Sequence, residues 1–225
     1  SDVYKRQPMN PTEGEVMKAP FMAVLILPLF LVPLTAHAQK DWGIDPWLSS
    51  AYINHDGPAW LCVLPDGSGP ALTEAQFDYG VQVNATITVE LFGYNGNPVV
   101  HFPAEDLWVE SLDGGLQLCA AGTVADDETD ANGTTHWTQP FRAGGHSEAN
   151  CQVFVNGMPF GGPGLELHFT SPDINGDLEV GLADLAQFAH DYFTGYAPRS
   201  DFWHDGVLNL SDFSRFAQSY RAFCP

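Results

Sequence analysis

Apolar and polar positions alternate in short runs between residues 58 and 170. Ala85, Ile87, Val89 and Leu91 interleave with Thr86, Thr88 and Glu90. A period of two places one face of a strand on a core and the other toward solvent. Residues 107–112, 149–155 and 165–169 are shorter runs of the same kind. Turn residues separate them: 93–98, Asp113-Gly114-Gly115, Asn132-Gly133, Asn156-Gly157 and 161–164. Many short strands joined by such turns predict a mainly β fold, an antiparallel sandwich over 58–170. Residues 39–57 read as a linker before it.

From residue 171 the period changes and the chain repeats itself. Residues 173–193 align with 201–221 at an offset of 28 positions, with identities at Asp173/Asp201, Asp177/Asp205, Leu182/Leu210, Asp184/Asp212, Phe188/Phe216, Ala189/Ala217 and Tyr192/Tyr220. Such internal repetition marks a duplicated structural unit. Each acidic stretch precedes a helical stripe, Leu182, Leu185, Phe188, Ala189, Tyr192 and then Leu210, Phe213, Phe216, Ala217, Tyr220. The spacing predicts two amphipathic helices that face each other across a shared core, in a small all-α domain over 171–225.

The acidic stretches carry the chemistry. Calcium takes six to eight hard oxygens, and a 12-residue loop supplies them from positions 1, 3, 5, 7 (by a carbonyl), 9 and 12. The first loop offers Asp173, Asn175, Asp177, the Glu179 carbonyl and Asp184. The second offers Asp201, Asp205, the Val207 carbonyl, Asn209 and Asp212. The alternative reading is a pair of helices whose N-termini simply favour aspartate.

Aspartate at position 12, a helix directly after the loop, no helix before it and duplication across a short linker (194–200) together resemble the dockerin type I family. That resemblance implies two bound Ca2+ ions and a cohesin-like or other extracellular protein partner. It places partner contacts at positions 10 and 11, here Leu182-Ala183 and Leu210-Ser211; of these only Ser211 matches the family's usual Ser or Thr. Both loops depart from the pattern. Leu178 stands where the first loop favours Gly, Gly181 replaces a ligand at position 9, and Trp203 replaces the position 3 ligand of the second. The first loop is expected to bind more tightly, because losing an oxygen outweighs one strained turn. Within the β segment, Gly96-Asn97-Pro98-Val99 and the later Thr129-Asp130-Ala131-Asn132-Gly133-Thr134-Thr135 resemble invasin-type bacterial Ig-like domains.

Charge and leader narrow the setting. A formal net charge of −20, from 28 acidic and 8 basic residues, repels nucleic acid and anionic membrane and attracts cations. Met17-Lys18, the apolar run 21–34 and Ala36-His37-Ala38 read as a cleaved signal peptide over 17–38, with no stable membrane span after cleavage. Residues 1–16 read as a non-native leader. The mature protein is expected to be secreted or at the cell surface. Four cysteines then imply two disulfides; the expected pairing is Cys119–Cys151 and Cys62–Cys224.

No catalytic motif stands out. Glu105, Asp106 and Glu110 read as solvated carboxylates, and His136, His146 and His168 as scattered histidines. Ser147 beside His146 lacks the geometry of a nucleophile pair. The expectation is therefore no enzyme but a non-catalytic attachment or assembly protein. The alternative is a small dockerin-bearing polysaccharide-active enzyme or carbohydrate-binding module. There polysaccharide would be the ligand, and Trp42, Trp47 or Trp60 would stack on sugar rings.

Overall fold

The structure, a computed structural model, describes residues 43–225. The expected leader, the signal peptide and Trp42 lie outside the described residues. Among the described residues the fold is mainly β, with several small sheets and two α-helices. In chain order the strands are β1 (Ser50–Ile53), β2 (Ala59–Cys62), β3 (Ala75–Phe77), β4 (Val81–Val83), β5 (Ile87–Glu90) and β6 (Leu107–Ser111). They continue as β7 (Leu116–Leu118), β8 (Thr134–Trp137), β9 (Ala143–Gly145), β10 (Cys151–Val155), β11 (Met158–Pro159) and β12 (Leu167–Thr170), followed by α1 (Leu182–Thr194) and α2 (Leu210–Ser219).

The alternating runs form strands where the pattern places them. Ala85, Ile87, Val89 and Leu91 are all fully buried around β5, which pairs antiparallel with β1 and β8. Thr88, on the other face, bonds His136 Nδ1 across the ladder at 3.0 Å. Asn156-Gly157 closes the β10–β11 hairpin, both residues at positive φ (53° and 81°), as a two-residue turn between right-twisted strands requires. One large core joins Leu61, Ile87, Val89, Leu107, Trp137, Val153 and Phe169.

Three expectations need correction. Residues 39–57 are more than a linker, since β1 lies there in full register with β5. The sheets are not wholly antiparallel: β2 and β12 pair parallel, Leu167 opposite Ala59 through Thr170 opposite Cys62. This pairing brings Thr170, one residue before the helical segment, alongside β2. The cysteines pair otherwise than expected. The disulfide is Cys119–Cys224, while Cys62 and Cys151 are buried free thiols. Cys62 is buried at the end of β2 opposite Thr170, in one apolar cluster with Phe188, Phe202 and Phe216, and Cys151 is enclosed opposite Ser111. Burial pushes the Cys151 thiol up to about 12 and raises Cys62 as well. The C-terminal tail instead runs along the first acidic loop: Val180 N–H donates to the Ala222 carbonyl, Arg221 N–H to that of Val180, and Cys224 N–H to that of Leu178. That course ends beside β7, where Cys119 waits.

Candidate metal centre

Each acidic loop is held by its first and last aspartates. Asp173 Oδ1 accepts the Gly176 and Asp177 amides (2.9 and 3.1 Å) and Oδ2 accepts that of Leu178 (2.9 Å). Asp201 does the same with the Asp205 and Gly206 amides (3.2 and 2.9 Å), and Tyr196 Oη adds a bond at 3.0 Å. At position 12, Asp184 accepts from Asn175 and Gly181 (3.0 and 2.8 Å). Asp212 matches it with Phe202, Trp203 and Asn209 (2.8, 3.3 and 3.0 Å). The duplication read from residue types is therefore a duplication of backbone path. Position 6 is left-handed in both copies, Leu178 at φ 69° and Gly206 at φ 81°.

Position 12 also caps the following helix. Asn209 Oδ1 accepts the Ser211 amide at 2.7 Å while Asp212 accepts that of Asn209, a reciprocal box around the α2 N-terminus. Gly181 has no side chain, so α1 keeps only the half supplied by Asp184.

Capping does not account for the charge. Asp173, Asp184, Asp201 and Asp212 are all 0% exposed. Among the described residues the ion pairs are His101–Glu128, His146–Glu148 and Arg199–Asp191, so no cationic side chain reaches any of the four. Buried charges without such a partner are normally neutralised by a proton or a metal. Burial, then the nearby Asp184 and Asp177, push Asp173 up to about 6, and burial raises Asp212. In the first loop Asp173, Asp177 and Asp184 bring carboxylate oxygens within 4.8 Å of one another, a cluster that can hold a metal ion. The second loop is not gathered to that degree. Asn175 and Glu179 are exposed at the rim of the first loop. Asn175 Nδ2 bonds Asp177 Oδ2 at 2.9 Å. Asn209 Nδ2 reaches the Val207 carbonyl at 3.2 Å in the second.

The β segment builds one wall of the first loop. Gly145 N–H donates to the Asp173 carbonyl at 2.8 Å. A Cβ on Gly144 would meet the Asp173 carboxylate at 1.8 Å, so β9 needs glycine there. Ser147 turns away from His146 and donates to Asp113 Oδ1 at 2.8 Å.

The helical stripe is only half core. Phe188 and Phe216 are 2% exposed and pack with Phe202, but Leu182 and Leu210 are 70% and 71% exposed. Leu185, Ala189, Tyr192, Phe193 and Phe213 line an apolar groove of about 230 Å3 between α1 and α2. The expectation that the helices close on each other across the whole stripe is corrected here. The histidines are not all scattered: His146, His168 and His204 surround Trp60, with ring centroids 6.1, 4.9 and 4.0 Å from its own. His204 lies in the second loop, a distance along the chain that no spacing argument spans. Trp60 is thus packed, whereas Trp47 is 92% exposed.

No family model, no curated protein and no solved structure matches the chain. No described helix is long and apolar enough to cross a membrane.

Proposed function

We propose that the chain is a secreted, non-catalytic attachment protein. In this reading an Ig-like β-sandwich carries a dockerin-like module whose two loops bind Ca2+, and that module docks to a cohesin-like or cell-surface partner. The observation that carries the proposal is the pair of loops with matching aspartate–amide bonds, which hold four buried aspartates in no ion pair among the described residues. Oxygen-only donor sets with a carbonyl at position 7 suit calcium better than softer metals. The basic Lys18, the apolar run and the A-x-A pattern support export. Exposed Leu182 and Leu210 at position 10 of the loops, with the groove beside them, support a protein partner that covers an apolar face.

The test is capture of surface proteins from the producing cell on the immobilised full chain, in calcium and in chelator. The reading expects a partner retained in calcium, released by chelator and lost with Leu210→Asp. Retention unaffected by chelator would contradict it.

A further inference from the structure

A separate cleft of about 550 Å3 opens between the turn Asp78–Gly80, the second loop and α2. Tyr79 stands at its edge with φ 60° and ψ 31°, a left-handed conformation rare for a residue with a side chain, and is 84% exposed. Strained backbone that displays an aromatic ring to solvent is a pointer to function. The strain is imposed locally. Gly80 N–H donates to the His204 carbonyl at 3.0 Å, and a Cβ on Gly80 would come within 3.2 Å of the Trp203 carbonyl. The turn is thereby held tight against the second loop.

Trp203 forms another part of the lining. It occupies position 3, where a cation ligand belongs, yet its Nε1 donates to the Ser211 carbonyl at 3.2 Å and the Arg215 guanidinium lies 4.6 Å over its ring. Arg215 Nε is enclosed, and the Arg215 side chain hydrogen-bonds the buried Cys62 thiol, which fixes the guanidinium beside the Trp203 ring. Ser214 and Gln218, one helical turn apart on α2, also line the cleft.

This mixture selects a ligand class. A sugar ring offers apolar C–H faces that pack on aromatic side chains and hydroxyls that both donate and accept. Tyr79 and Trp203 supply the first kind of contact, and Gln218 and Ser214, which bond each other at 3.1 Å, the second. Pockets with apolar or aromatic walls and a few convergent polar groups are the usual form of a small-ligand site. Nucleotide bases also stack, but their phosphates would enter the field of a chain with net charge −20. Asp205 in the wall disfavours acidic sugars for the same reason.

We propose that this cleft binds a neutral oligosaccharide, with Tyr79 as the stacking platform and Gln218 and Ser214 as hydroxyl partners. In this reading Trp203, at the position where a cation ligand is expected, serves as an aromatic wall of the cleft.

The test is titration of the full chain with neutral glucan, xylan and mannan hexasaccharides and with hexagalacturonate. The Trp203 indole N–H, assigned with Trp203→Phe, is followed by NMR. Each series is run with and without calcium, so sugar binding and cation binding are read separately. At least one neutral hexasaccharide is expected to shift that resonance to saturation. Tyr79→Gly removes the ring while relaxing the left-handed backbone, so the fold survives; affinity should drop roughly tenfold or more. Met158→Ala, which alters an exposed apolar side chain absent from the cleft lining, should leave affinity unchanged. Absence of saturable binding by every neutral hexasaccharide, binding by hexagalacturonate alone, or full affinity in Tyr79→Gly would each overturn the proposal.

Discussion

Two residues of the first loop show how local chemistry is set by backbone position. Leu178 is held at φ 69°, where a residue with a Cβ costs about 1–2 kcal/mol. Leu178→Gly should therefore raise stability by about 1 kcal/mol in urea denaturation, less than the full strain because glycine also frees the unfolded chain. Asp173 is the second. Its carboxyl, buried beside Asp184 and Asp177, titrates at about 6 in the cation-free loop, above the ordinary carboxylate value. The folded state then holds the proton more tightly than the unfolded chain. Its contribution is fully present below about pH 4 and is lost as pH rises through about 6. In chelator, thermal stability should fall across that window. In saturating calcium, which needs the ionised carboxylate, that fall should vanish or reverse. A chelated protein whose stability rises from pH 4 to 6 would contradict the raised titration. The aspartate spacing was legible in the sequence because the first and last aspartates of each loop accept the amides that fix its path. The left-handed turn at Leu178 was legible too, by alignment with Gly206.

Among the elements, the two helices divide their apolar stripe between core and surface. Phe188 packs against Phe202, Phe213 and Phe216, with ring centroids 5.8, 6.0 and 6.0 Å away. Phe188→Ala should cost about 3–5 kcal/mol, whereas Phe193→Ala, at a position 84% exposed, should stay within about 0.5 kcal/mol. Chemical denaturation of both variants tests the split. The helical period marked both residues as apolar and distinguished neither, because period alone does not say which part of a stripe lacks a partner. At the far end of α1, Asp191 accepts both Nε and Nη2 of Arg199 at 2.8 Å and the Ser200 hydroxyl at 2.7 Å. That bidentate pair fixes the linker between the repeats and holds the Asp191 carboxyl below its usual range. The strands of clear alternation, β5, β6 and β10, were equally legible. The parallel β2–β12 pair was not, since each strand has four residues and their partnership depends on a chain path of about a hundred positions.

At the scale of the whole molecule, the acidic loops are built into the β segment rather than hung from it. Gly144 and Gly145 form one side of the first loop, the C-terminal tail forms another, and Cys119–Cys224 joins that tail to the residue after β7. A disulfide that spans 105 positions should contribute about 4–5 kcal/mol in the chain-entropy account. Cys224→Ser should lower the denaturation midpoint by a corresponding amount. Alkylation of the native protein should label no cysteine, and alkylation after non-reducing denaturation should label two, Cys62 and Cys151. An even count of cysteines in an exported chain favoured two disulfides; burial of these two thiols in separate cores prevents the second. Calorimetric titration of the full chain with calcium asks whether the first loop is the calcium site proposed for it. Saturable binding is expected, with a tighter event that disappears in Asp173→Ala and survives in Asp201→Ala. No saturable binding at millimolar calcium, or a tighter event that survives Asp173→Ala, would contradict it.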